Sequence, residues 1–145
     1  MQLTNPQEAE ARIGMRYQVF LVLWIAMSVS VIIFLIIALV VPGSAAPNQT
    51  LTFALLSVSV TTIVASLAIK HKLIKQAIEK QQLQPLMSAY ILGLALCESA
   101  ALFGLLDHFV TGSGFYRFTF ILVAMGMLLH FPRKEHLRAV SYKRS

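Results

Sequence analysis

Apolar residues in this chain do not alternate with polar ones; they gather in four blocks, at residues 18–41, 51–70, 86–110 and 115–131. A helix rises about 1.5 Å per residue, so about 20 apolar residues cross the ~30 Å hydrocarbon layer of a bilayer. The first three blocks meet that length. The fourth is shorter and carries Arg117 near its start, where a long side chain can snorkel to the headgroups. Lipid offers backbone polar groups no partner, and no alternating strand pattern is present, so the spanning form is helical. The pattern predicts an all-α integral membrane protein, a four-helix antiparallel bundle. The four-span domain covers 18–131, between a cytoplasmic N-terminal segment at 1–17 and a basic cytoplasmic tail at 132–145.

The connections are short, which predicts that consecutive spans pack as antiparallel neighbours. "PGSAAPNQT", Pro42 to Thr50, is uncharged and rich in helix breakers, and Asn48 to Thr50 offer helix-start chemistry. "KHKLIKQAIEKQQLQP" is polar but helical in composition, so it extends the second span beyond the bilayer until Pro85 restarts the chain. "DHFVTGSG" turns the chain before the last span, and Pro132 ends that span. The small residues Ser44 to Ala46 after a basic, then apolar, N-terminal run resemble a secretory cleavage site. That run is about twice the length of a signal core, so the first block is expected to be retained as a span.

Composition agrees with a membrane class: 57% of the residues are apolar, 12% are charged, and mean hydropathy is +0.73. The net charge of +6 is not spread as a nucleic-acid-binding stripe. Arg12 and Arg16, then Lys70, Lys72, Lys75 and Lys80, then Arg133, Lys134, Arg138, Lys143 and Arg144 fall on one side of a four-span drawing, and Arg117 alone on the other. The positive-inside rule therefore places both termini and the middle loop in the cytoplasm of a bacterial inner (plasma) membrane, with anionic headgroups as the partner of the bases. Cys97 is the single cysteine, so no intrachain disulfide forms.

One acid stands out. In "ILGLALCESAALFGLL", Ile91 to Leu106, Glu98 sits near the middle of the third block. A charge at the bilayer centre costs roughly 2.5–3.5 kcal/mol on insertion scales, and no Lys or Arg shares its depth, so a neutral or proton-exchanging acid is expected. Hydroxyls that could pair with it are Ser59, Thr62, Ser66, Tyr90 and Ser99, together with Ser28, Ser30, Ser57 and Thr61. The competing reading for each hydroxyl is a bond back to its own helix. Ala89, Gly93, Cys97 and Ala101 recur every fourth residue, with Ala100 and Gly104 beside them, and form a small-residue packing stripe that Glu98 borders.

The remaining polar residues ask for less. Asp107 and His108 end the third span and His130 ends the fourth, where solvation at the membrane interface accounts for them. His71 and His136 would hold a metal only if the fold gathered them. Met125, Met127 and Trp24 are expected to pack, with Gly126 permitting a close contact. No hydrolytic constellation, phosphate loop, zinc signature or dinucleotide fingerprint is present, so no enzyme, metal or cofactor is predicted.

The stretch "LQPLMSAYILGLALCESAALFGLL" resembles the loop end and second helix of the rotary ATPase proteolipid, the c subunit of the membrane ring. Gln84 and Pro85 stand on the cytoplasmic side, a Gly-Leu-Ala run follows, and Glu98 corresponds to the mid-membrane acid. The resemblance implies a proton- or cation-binding role for Glu98 and a homo-oligomer of closely packed helices. It stops there: the second span has no glycine, Leu83 precedes Gln-Pro, and two further spans are present. The overall form is also similar to small bacterial four-span membrane proteins. Two functions are therefore expected: proteolipid-like ion handling by an oligomer, or a non-transporting accessory or assembly subunit in which Glu98 closes a helix contact.

Overall fold

The structure, a computed structural model, describes residues 6–43 and 47–141. Ser44 to Ala46, Lys143 and Arg144 lie outside the described residues. Five helices follow in order: α1 (Pro6–Val40), α2 (Gln49–Lys80), α3 (Leu83–Thr111), α4 (Tyr116–Leu129) and α5 (Lys134–Ser141). The first three are long and apolar enough to cross a membrane. At 14 residues α4 is apolar but about 21 Å long, shorter than the ~30 Å hydrocarbon thickness that the first three helices match.

Local chemistry sets the helix ends. The Asn48 side chain accepts the Leu51 backbone N–H at 3.1 Å and opens α2. Gln81 closes α2 in the left-handed region at φ 51°, while the Gln82 N–H reaches back to Ala77 O at 3.1 Å. Pro85 does not break the chain; it falls in the first turn of α3, where its missing N–H has no helical acceptor to lose. α3 ends on Gly112, whose φ of 61° suits a residue without a Cβ.

α3 is the centre of the bundle. α4 lies antiparallel along its small-residue face in one constant register: a Cβ at Gly104 would stand 3.0 Å from Thr119 Cγ2, Gly126 meets Cys97, and Gly93 meets His130. α2 packs along another face of α3, and α1 packs on α3 from outside. Consecutive helices are not always neighbours, since α1 and α2 do not pack on one another. The reason is visible at the end of α1. His108 Nε2 pairs with Val41 O at 2.7 Å, and a Cβ at Gly43 would stand 2.5 Å from His108 O, so the chain leaving α1 lies directly over the end of α3.

The far end of the bundle carries a second apolar cluster, in which Leu137 and Val140 of α5 pack with Ile13, Phe20, Ala77, Leu86 and Tyr90. Much of the expected basic tail is thus a docked amphipathic helix. The outward surface is apolar over most of its length; Val22, Ile32, Ile36, Phe118, Ile121 and Leu128 are all exposed. Exposure on this scale exceeds what a water-soluble monomer tolerates.

Candidate functional site

Glu98 leaves α3 on the side facing α1, half-buried, and accepts a hydrogen bond from Ser30 Oγ through Oε1. The other hydroxyls go elsewhere. Thr62 and Ser99 bond back to Val58 O at 2.8 Å and Ala95 O at 2.9 Å. Ser57 and Thr61 do the same, to Phe53 O and Ser57 O. Ser59 donates to Leu55 O at 2.9 Å and lies 3.4 Å from Ala100 O of α3. Ser66 donates to Ile63 O at 2.7 Å and approaches Cys97 Sγ at 3.6 Å. Tyr90 is eight residues before Glu98, about 12 Å along the helix, and bonds at the far end of the bundle. Ser28 Oγ is buried with no partner among the described residues.

Ala89, Gly93, Cys97, Ala101 and Gly104 are all buried. Gly93, Cys97 and Gly104 receive α4 of the same chain. Trp24 adds a tie between α1 and α4, its Nε1 donating to Met127 O at 2.8 Å, with Phe131 edge-on to its ring.

Below Glu98 lies a group of titratable side chains, of which His130, Lys70 and His136 were expected at the interface or among cytoplasmic bases. His130 is fully buried rather than interfacial. Its Nδ1 is 2.7 Å from Gly126 O and 3.8 Å from Cys97 Sγ, and its Nε2 has no partner among the described residues. Lys70, expected among cytoplasmic bases, is 8% exposed; its Nζ donates to Leu129 O at 2.8 Å and lies 5.0 Å from the centre of the Tyr90 ring. That bond serves the carbonyl-rich end of α4. Tyr90 OH pairs with His136 Nδ1 at 2.8 Å and accepts the Arg133 N–H at 3.2 Å, fastening α5 to the bundle. Burial, with Lys70 and Arg133 nearby, holds the His136 imidazole below the usual histidine range.

The opposite end is also more enclosed than expected. Asp107 and His108 are buried. Thr111 Oγ1 lies 2.7 Å from Asp107 Oδ1, Ser113 Oγ donates to Asp107 Oδ2 at 2.8 Å, and Thr52 of α2 donates to Thr111 at 3.0 Å. The His108 ring packs tilted against that of Tyr116, the first residue of α4, with centres 4.6 Å apart. This network organises the α3–α4 turn. The missed signal is an acid followed by Thr and Ser four and six residues later, a side-chain pattern suited to a helix end.

Among the described residues no three His, Cys, Asp or Glu side chains converge as a metal site. No family model, curated protein or solved structure matches the chain. The class therefore rests on the molecule itself: an all-helical protein with three helices long and apolar enough to span a membrane.

Proposed function

We propose that the chain is a non-transporting accessory or assembly subunit of the bacterial inner membrane, in which Glu98 acts as an interhelical hydrogen-bonding residue. The observation that carries this reading is the Ser30–Glu98 bond across the α1–α3 seam. A hydrogen bond across this seam holds an otherwise peripheral α1 against the core. The three long helices and the shorter apolar α4 make up the four-pass bundle, with Arg117 at the water-facing start of α4. The bases at the Tyr90 end, Arg12, Arg16, Lys72, Lys75, Lys80, Arg133, Lys134 and Arg138, favour a cytoplasmic position for that end and for both termini. Assembly with a partner or a second copy uses outward faces, because α4 already covers much of the small-residue stripe.

The test compares the native chain with Glu98→Gln and Glu98→Leu in detergent and in liposomes. An amide keeps hydrogen-bonding capacity and a leucine does not. The reading requires thermal stability to survive in Glu98→Gln and fall in Glu98→Leu, with neither proton nor sodium flux above empty liposomes in any of the three. Flux in the native protein that vanishes in Glu98→Gln would establish proteolipid-like ion handling instead.

A further inference from the structure

We infer that the cleft between α1, α3 and α5 is a binding site for one anionic glycerophospholipid, its acyl chain in the cleft and its phosphate on Arg16. The inference rests on the membrane reading above and adds a ligand to it. The cleft has a volume of about 210 Å³ and is lined by Arg16, Val19 and Phe20 of α1, Leu83 and Met87 of α3, and Leu137 of α5. Phe20 and Leu137 are buried and form its floor, while Val19 and Met87 are exposed walls. Apart from Arg16 the lining side chains are hydrocarbon, aromatic or thioether, which match a lipid tail and would gain by excluding water or headgroups.

Position and charge decide between lipid and other apolar occupants. One helical turn along α1 and α3 from the cleft stand Val22 and Ile91, both exposed and apolar, so the cleft runs into the apolar outer belt. In the other direction the surface turns basic within a turn. Arg12 and Arg16 project from α1, and Lys134 Nζ lies 4.9 Å from the Tyr17 ring centre at the start of α5. A tail-shaped apolar slot with cations at its interfacial end matches the layout of a lipid with a negative headgroup. The volume holds part of one acyl chain, with the rest of the lipid lying against the belt and the bases. The helix α5 supplies part of the floor through Leu137, so the site exists only while α5 is docked.

The experiment is native mass spectrometry of the full chain released from detergent containing phosphatidylglycerol or phosphatidylcholine with identical tails. The expected result is one retained phosphatidylglycerol per chain, favoured about five-fold over phosphatidylcholine, the factor that one basic side chain near the surface supplies. Arg16→Gln removes that preference, and Met87→Trp, which fills the cleft, lowers retention of both lipids. Val19→Trp fills the cleft from the other wall should Met87→Trp fail to fold. Lys75→Gln, on exposed α2 surface away from the cleft, leaves the preference unchanged. Equal retention of the two lipids overturns the site while leaving the membrane reading intact, and so does an equal loss in Lys75→Gln and Arg16→Gln, which would mean a diffuse field. A dimer mass lost in Met87→Trp would assign the cleft to a second copy. Failure to retain any lipid, with the chain soluble and folded without detergent, would sink the membrane reading itself.

Discussion

The imidazole of His130 occupies the space that a side chain at Gly93 would need: a Cβ there would stand 2.5 Å from His130 Nε2. In an open helical position Gly→Ala gains about 1 kcal/mol from helix propensity. Here the sign reverses, because the imidazole is fully buried and its neighbours leave it no retreat. Gly93→Ala is expected to destabilise the protein by roughly 1–3 kcal/mol, an overpacking cost. In a His130→Ala background the same change should cost little or nothing. Thermal unfolding of the four proteins in one detergent measures the coupling, and an additive result would remove the contact from the argument.

Ser30 and Glu98 should couple in the same kind of cycle. Ser30→Ala alone is expected to cost about 0.6–2 kcal/mol, the range of interhelical hydrogen bonds inside membranes. With Glu98→Leu already present, Ser30→Ala should cost nothing further. A full cost in both backgrounds would show that the hydroxyl stabilises α1 by another route.

The docking of α5 should depend on pH. Its His136 pairs through Nδ1 with the Tyr90 hydroxyl, and burial together with Lys70 and Arg133 disfavours the imidazolium, while Glu135 opposes them. Because the folded value lies below the ordinary one of about 6.5, the unfolded or undocked form binds more protons as pH falls. The stabilisation is complete above about pH 6.5 and declines progressively below it, down to the lowered folded value. Between pH 7.5 and 5.5 the native protein should lose more thermal stability than His136→Asn, which cannot titrate in that window. Parallel curves for the two proteins would exclude His136 as the source.

Asp107 organises the turn that delivers α4 to α3. Removing its carboxylate leaves the Ser113 hydroxyl without its acceptor, while Thr111 keeps the backbone carbonyl of residue 107 at 2.7 Å, at a cost of roughly 1–3 kcal/mol for Asp107→Ala. Asp107→Asn keeps one acceptor oxygen and should cost less. Hydrogen exchange over residues 112–118 should rise in the alanine variant before exchange in α2 does. Uniform acceleration across the whole chain would instead indicate global destabilisation.

Much of the architecture was legible in the order of residues, for physical reasons that act locally. Transfer of long apolar blocks out of water requires helices, and that requirement does not depend on which helix lies beside which. Asn48, Pro132 and the Gly112 turn likewise mark helix ends through backbone chemistry confined to a few residues. Back-bonding by Thr62 and Ser99 is local as well. α4 was harder, because its apolar block runs to Phe131 while the helix stops at Leu129, and hydropathy does not register where a helix ends.

What the sequence alone determined is the helical, membrane-suited class, the approximate extent of the long apolar helices, the segregation of bases, and a mid-helix acid beside a stripe of small residues. Only the tertiary structure decided that the chain leaving α1 lies over the end of α3 and that α1 packs apart from α2, that Ser30 rather than a hydroxyl of α2 reaches Glu98, and that α4 fills much of the stripe. It also turned Lys70, His130, Asp107 and His108 from solvated residues into buried ones. The physical reason is common to all of these: burial and pairing across helices depend on which faces meet. Gly93 with His130 and Cys97 with Gly126 meet through contacts between residues far apart in the chain, and no periodicity within one helix encodes its neighbour.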